Sequence, residues 1–115
     1  MKVIEYDKNV DICGTSLQGT INTTYDKLVS VLGKPSYTDA DPYEKVACSW
    51  DLQVKYYDTG DSGDDWSYEK VSIYCWKEGK IPTKMIPWHV GGNSWIAEDL
   101  ANQIIFEEIE PSFEY

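Results

Sequence analysis

Val46-Ala47-Cys48-Ser49-Trp50-Asp51-Leu52-Gln53-Val54-Lys55-Tyr56-Tyr57 alternates apolar and polar side chains up to its last residue. Val46, Cys48, Trp50, Leu52, Val54 and Tyr56 share one parity, and Ala47, Ser49, Asp51, Gln53 and Lys55 the other, which is the period of a pleated strand with one covered face. Each large apolar side chain on that face contributes roughly 1.5–3 kcal/mol when fully covered, so the fold turns on what the rest of the chain lays over it. Two segments have a suitable helical period. Tyr25, Leu28, Val29 and Leu32 recur behind Thr24, an N-cap, with Asp26 in the first turn and Gly33 and Pro35 after the last. Residues 95–110 carry a second stripe of Ala97, Leu100, Ala101, Ile104 and Ile105, stopped by Pro111.

Strand partners flank the same stretch. Trp66 to Trp76 sets Val71, Ile73 and Cys75 on one face against Tyr68, Ser72, Tyr74 and Trp76 on the other. A further strand is predicted from about Lys84 to Val90, with Pro87 favouring an edge or a bulge, and residues 2–6 predict a short edge strand. Cys13 to Thr24, centred on Gly14-Thr15-Ser16-Leu17-Gln18-Gly19-Thr20, reads as loop, and Gly91-Gly92 reads as the break between the last strand and the second helix, with Asn93 or Ser94 as cap. The expectation is one α+β domain over residues 1–115, an antiparallel β-meander of three to four strands with two helices packed on one face.

Twenty acids stand against ten lysines and no arginine, giving a net charge of −10 over 115 residues. That balance argues against direct nucleic-acid binding, which needs a basic face and usually arginine. It suits solubility, a basic partner, or imitation of a nucleic-acid backbone. No apolar run resembles a signal peptide or a membrane span, so a cytoplasmic protein without membrane contact is expected. Cys13, Cys48 and Cys75 show neither zinc nor disulfide spacing, and the latter two read as small core residues.

Three features bear on function. Trp88-His89-Val90-Gly91-Gly92-Asn93-Ser94 feeds a strand into a helix start, where free amides and the dipole favour an anion; the same residues also suit a plain tight turn with a cap. The Gly14–Thr20 stretch offers donors at Thr15, Ser16, Gln18 and Thr20, but lacks the lysine and setting of a P-loop. Five tryptophans and nine tyrosines exceed what one face of a small sheet needs, and Tyr57, Tyr68, Tyr74, Trp76 and Trp88 need not lie on the core face, which favours a stacking platform or an interface. His89 is the single histidine; it pairs with no ligand pattern, and a nucleophile pair with Cys13 or Cys75 has no flanking signature. The acids of Asp58–Asp65 do not match an EF-hand and read as a solvated tip. No enzyme activity, metal or cofactor is therefore expected.

Gly14-Thr15-Ser16-Leu17-Gln18-Gly19, Thr24-Tyr25-Asp26-Lys27-Leu28-Val29 leading to Leu32-Gly33-Lys34-Pro35, the Trp50 strand and Trp88-His89-Val90-Gly91-Gly92 together resemble a widespread group of small bacteriophage proteins. The resemblance implies a phage product of the host cytoplasm that acts in counter-defence, either by sequestering a cyclic nucleotide immune signal or by occupying the nucleic-acid site of a host defence nuclease. For the first role, Thr15, Ser16, Gln18, Gly91, Gly92 and Asn93 are expected to hold phosphates or base edges, with His89 beside them and Trp88 or a strand aromatic stacked on a purine. For the second, the unopposed acids of the final helix and tail are the expected surface. A homo-oligomer, at least a dimer, is expected, because aromatics on the second sheet face leave an apolar patch for a twofold partner.

Overall fold

The computed structural model describes residues 2–38, 46–57, 66–76 and 80–107. In chain order the elements are β1 (Lys2–Lys8), β2 (Ser16–Thr23), α1 (Tyr25–Leu32), β3 (Tyr37–Thr38), β4 (Cys48–Tyr57), β5 (Trp66–Tyr74), β6 (Ile86–Gly92) and α2 (Ile96–Phe106). The alternating stretch is β4. It pairs with β5 from Ser49↔Tyr74 to Tyr57↔Trp66, and β5 pairs with β6 from Val71↔Gly92 to Tyr74↔His89. These three strands form the expected meander. The chain extends it at both edges: β1 lies antiparallel on β4 and β2 antiparallel on β6, giving the order β1-β4-β5-β6-β2, with β3 on β4.

The α+β class therefore holds, but the sheet has six strands among the described residues rather than three to four. The main addition is β2, which runs through the stretch expected to be loop. It is an edge strand whose outward residues have no need to be apolar, and its register shifts between Leu17 and Gly19, which breaks the period of two. The strand also continues through Gly91 and Gly92 instead of stopping there. Pro87 sits opposite Asn22 of β2, beyond the last pair that β6 makes with β5, so its missing N–H costs no bond on that side.

Both helices cover one face. Cys48, Trp50, Leu52, Val54, Val71, Ile73, Trp88 and Val90 of the sheet are buried there with Leu28 and Leu32 of α1 and Leu100, Ile104 and Ile105 of α2. At its centre Trp50 meets Trp88 edge to face, ring centroids 5.8 Å apart, and Tyr25 meets Trp50 at 5.7 Å. Each indole N–H finds a carbonyl: Trp50 donates to Gly33 at 2.9 Å and Trp88 to Thr23 at 3.1 Å. Thr24 caps α1 as expected, accepting from the Lys27 amide at 3.1 Å, and Gly33 ends the helix at φ +80°. Ser94 Oγ, not Asn93, accepts from the first amide of α2 at 3.3 Å. The Asp58–Asp65 loop and the tail beyond Glu107 lie outside the described residues.

Cys48 and Cys75 are buried together in this core, as their apolar setting suggests; the hydrogen bond with Cys75, then burial, push the Cys48 thiol up. One polar atom is poorly served. Tyr6 is only 3% exposed, and its hydroxyl has no hydrogen-bond partner among the described residues. Burial accordingly raises its phenol pKa. Since an unsatisfied buried hydroxyl costs about 1–3 kcal/mol, Tyr6→Phe is expected to leave stability unchanged or raise it by about 1 kcal/mol. Urea denaturation checks this, and a loss above about 1 kcal/mol would reveal a partner for the hydroxyl.

Candidate functional site

The junction before α2 already holds an anion, and the anion belongs to the protein. Glu69 of β5 falls on the helix side of the sheet, in step with Val71 and Ile73, and is 5% exposed. Its Oε2 accepts from the Asn93 amide at 3.0 Å, the Ser94 amide at 2.7 Å and Ser94 Oγ at 3.1 Å. A carboxylate just ahead of the positive end of a helix takes up the amides that lead into it as a phosphate would, while the first amides of α2 itself are held by Ser94 and Trp95. The Asn93 side chain turns away to accept from the Lys70 amide at 3.0 Å. Gly92 is needed for packing: a Cβ there would lie 2.2 Å from Ala97 Cβ and 2.9 Å from the Lys70 carbonyl oxygen. Trp88 is fully buried on this same side and has no surface for stacking on a ligand.

The second glycine-rich stretch is answered in the same way. Glu98 of α2 reaches over the β2 edge to accept from the Thr20 amide at 3.1 Å, and a Cβ on Gly19 would fall on that carboxylate. Five residues along the helix, Gln103 accepts from the Val3 amide of β1 at 3.1 Å. Thus α2 crosses the sheet and caps an amide near each edge.

The other face of the sheet is open and bears a cleft of about 420 Å³. Ser49, Asp51, Ser72 and Gly91 form its polar floor, Thr15, Ser16 and Leu17 one wall, and Tyr37, Tyr74 and Trp76 aromatic surface around it. Asp51 is well anchored. It lies where β1 ends and β3 has not begun, and the seam is closed by its backbone: its amide donates to Ser36 Oγ at 3.1 Å, and its carbonyl accepts from the Val10 amide at 3.4 Å. Ser72 Oγ donates to Asp51 Oδ1 at 2.9 Å, which holds the carboxylate over the floor. Burial raises the Tyr74 phenol pKa, so its hydroxyl remains a neutral donor through ordinary pH. Gly91 leaves room above the floor: a Cβ there would be in ordinary contact, 3.5 Å from Ser16 O and from Tyr74 Cε1.

Of the residues singled out in the sequence, Thr15, Ser16 and Gly91 meet in this cleft. Gln18 stands at the β2 register shift and donates to Ser16 Oγ at 3.0 Å and to the Gly92 carbonyl at 3.4 Å. His89 is on the open face beside the cleft, 5.4 Å from Tyr74 and stacked at 6.0 Å on Trp76. Trp88, Gly92 and Asn93 are not brought to it. Cys75 is buried under the helices while His89 faces the other way, so those two form no nucleophile pair. Tyr74 and Trp76, two of the aromatics expected off the core face as a stacking platform, do line the cleft. Asp51 and Ser72 were not singled out as binding residues; the readable signal was a carboxylate and a serine on the aromatic parity of paired strands. No family model matches this sequence, and neither a curated protein nor a solved structure matches it.

Proposed function

We propose that the protein is a binding module without catalysis that takes a small purine nucleotide on the open face of its sheet, in the role of a phage counter-defence sponge. The observation that carries this reading is the cleft, where aromatic rings and converging polar groups are joined on an otherwise open sheet in a volume suited to a small ligand. Lys70 supports the phosphate end. It lies on the same face as Ser72, one pleat away or about 6.7 Å along the strand, with Nζ donating to the Cys13 carbonyl at 3.3 Å. An ammonium has three donors, so others remain for a phosphate. The base then lies toward Asp51 and Trp76, and the phosphate toward Lys70.

A melting screen across purine mononucleotides and cyclic di- and trinucleotides tests the reading. A cognate ligand at one hundred times its dissociation constant stabilises the native state by about 2.7 kcal/mol, and the melting temperature is expected to rise by roughly 10 °C or more. The ligand should be recovered chemically intact. No shift with any nucleotide, from folded protein, would sink this reading in favour of the acidic inhibitor of a defence nuclease. The net charge of −10 supports that alternative, although Glu69 and Glu98 are turned to internal amides.

A further inference from the structure

We infer that the cleft selects a guanine-type base, through the Watson–Crick edge read by Asp51. This rests on the nucleotide reading above and goes beyond it in naming the base. Asp51 is the carboxylate among the described lining residues, and no lysine is among them. Its Oδ1 accepts from Ser72, which fixes the plane of the group and leaves Oδ2 and the second lone pair of Oδ1 as acceptors. A ligand edge placed there must present donors. Guanine offers two adjacent ones, N1–H and the 2-amino group, at a spacing that matches the two oxygens of a carboxylate. Adenine presents one donor beside the N1 lone pair, which would face a carboxylate oxygen.

The anchoring of Asp51 gives this contrast its force. Its backbone is tied to Ser36 and Val10, and its side chain to Ser72, so the carboxylate cannot readily turn away from a mismatched base. A polar site that is held in place discriminates because the wrong ligand leaves its groups unpaired. Tyr74 and Trp76 supply flat apolar surface that any purine would meet alike, so selectivity falls to the carboxylate.

Calorimetric titration of the full chain with GMP, AMP, IMP and XMP tests the assignment. Wild type is expected to bind GMP about 10–100-fold more tightly than AMP, the effect of one bidentate base contact, with IMP, which lacks the 2-amino donor, in between. Asp51→Asn keeps an oxygen for Ser72 but exchanges one acceptor for a donor. It should weaken GMP by a similar factor and favour XMP, whose edge pairs N1–H with a carbonyl. Equal affinity of wild type for GMP and AMP, or a preference for AMP, would overturn the guanine assignment while leaving the nucleotide reading intact. Absence of binding by all four, from folded protein, would overturn the guanine assignment, and the nucleotide reading falls with it when the cyclic di- and trinucleotides of the melting screen also fail to bind. The comparison among GMP, IMP and AMP needs no variant, so it decides the matter even if Asp51→Asn is unstable.

Discussion

Glu69→Ala is expected to destabilise the fold by about 3–5 kcal/mol and to lower the melting temperature by more than about 10 °C. The substitution removes the acceptor shared by two amides and one hydroxyl just before α2, all in part-buried hydrogen bonds. Hydrogen bonds to a charged group contribute about 1.5–3 kcal/mol each, partly offset here by relief from burying the carboxylate. Glu69→Gln retains an acceptor of the same reach and should cost about half as much. Sulfate provides a further test. With the carboxylate gone, the vacated helix start should bind the anion, so sulfate should recover more stability in Glu69→Ala than it adds to wild type. A melting temperature within about 3 °C of wild type would mean that these hydrogen bonds contribute little.

Gly91→Leu and Gly92→Leu, adjacent in sequence, should fail in opposite ways. Gly91 faces the cleft, where a Cβ has ordinary contacts and the rest of a leucine would enter the space proposed for the ligand. Its φ is not among the positive values, so a side chain brings no backbone strain. Gly91→Leu is expected to melt within about 5 °C of wild type yet lose at least about 100-fold in nucleotide affinity, since filling a pocket excludes its ligand outright. Gly92→Leu drives a side chain into Ala97 and the Lys70 carbonyl and should cost 3 kcal/mol or more, about the upper range for overpacking a core. Paired melting and titration of the two variants check both outcomes. Wild-type affinity in Gly91→Leu would remove the cleft as the site.

The sequence carried the centre of this fold plainly and its edges poorly. The strand through Trp50 and the Thr24-capped helix show the patterns that their burial requires, because each has one covered face. β2 is a different case: its hydroxyls and glycines are tolerated at a sheet edge, and the register shift at Gln18 hides what alternation remains. Gly91-Gly92 looks like a turn because paired glycines usually mark one, whereas here one glycine admits α2 and the other opens the cleft. For the site, the polar parity of β4 and β5 looks like a solvated face, and only the pairing of Asp51 with Ser72 turns it into a floor. Glu69 left one visible trace, an acid in step with Val71, Ile73 and Cys75.

Two candidate seats for a ligand thus lie on opposite sides of one sheet, the start of α2 and the open-face cleft. Amide chemical-shift mapping during titration with GMP separates them most directly. A base in the cleft predicts shifts at Thr15, Ser16, Asp51, Tyr74 and Gly91 that saturate together, with the amides of Ser94, Ile96 and Ala97, held by Glu69 and Ser94, left in place. Saturating shifts concentrated at Asn93 to Ala97, with the cleft residues unmoved, would contradict it and return the ligand to the helix start.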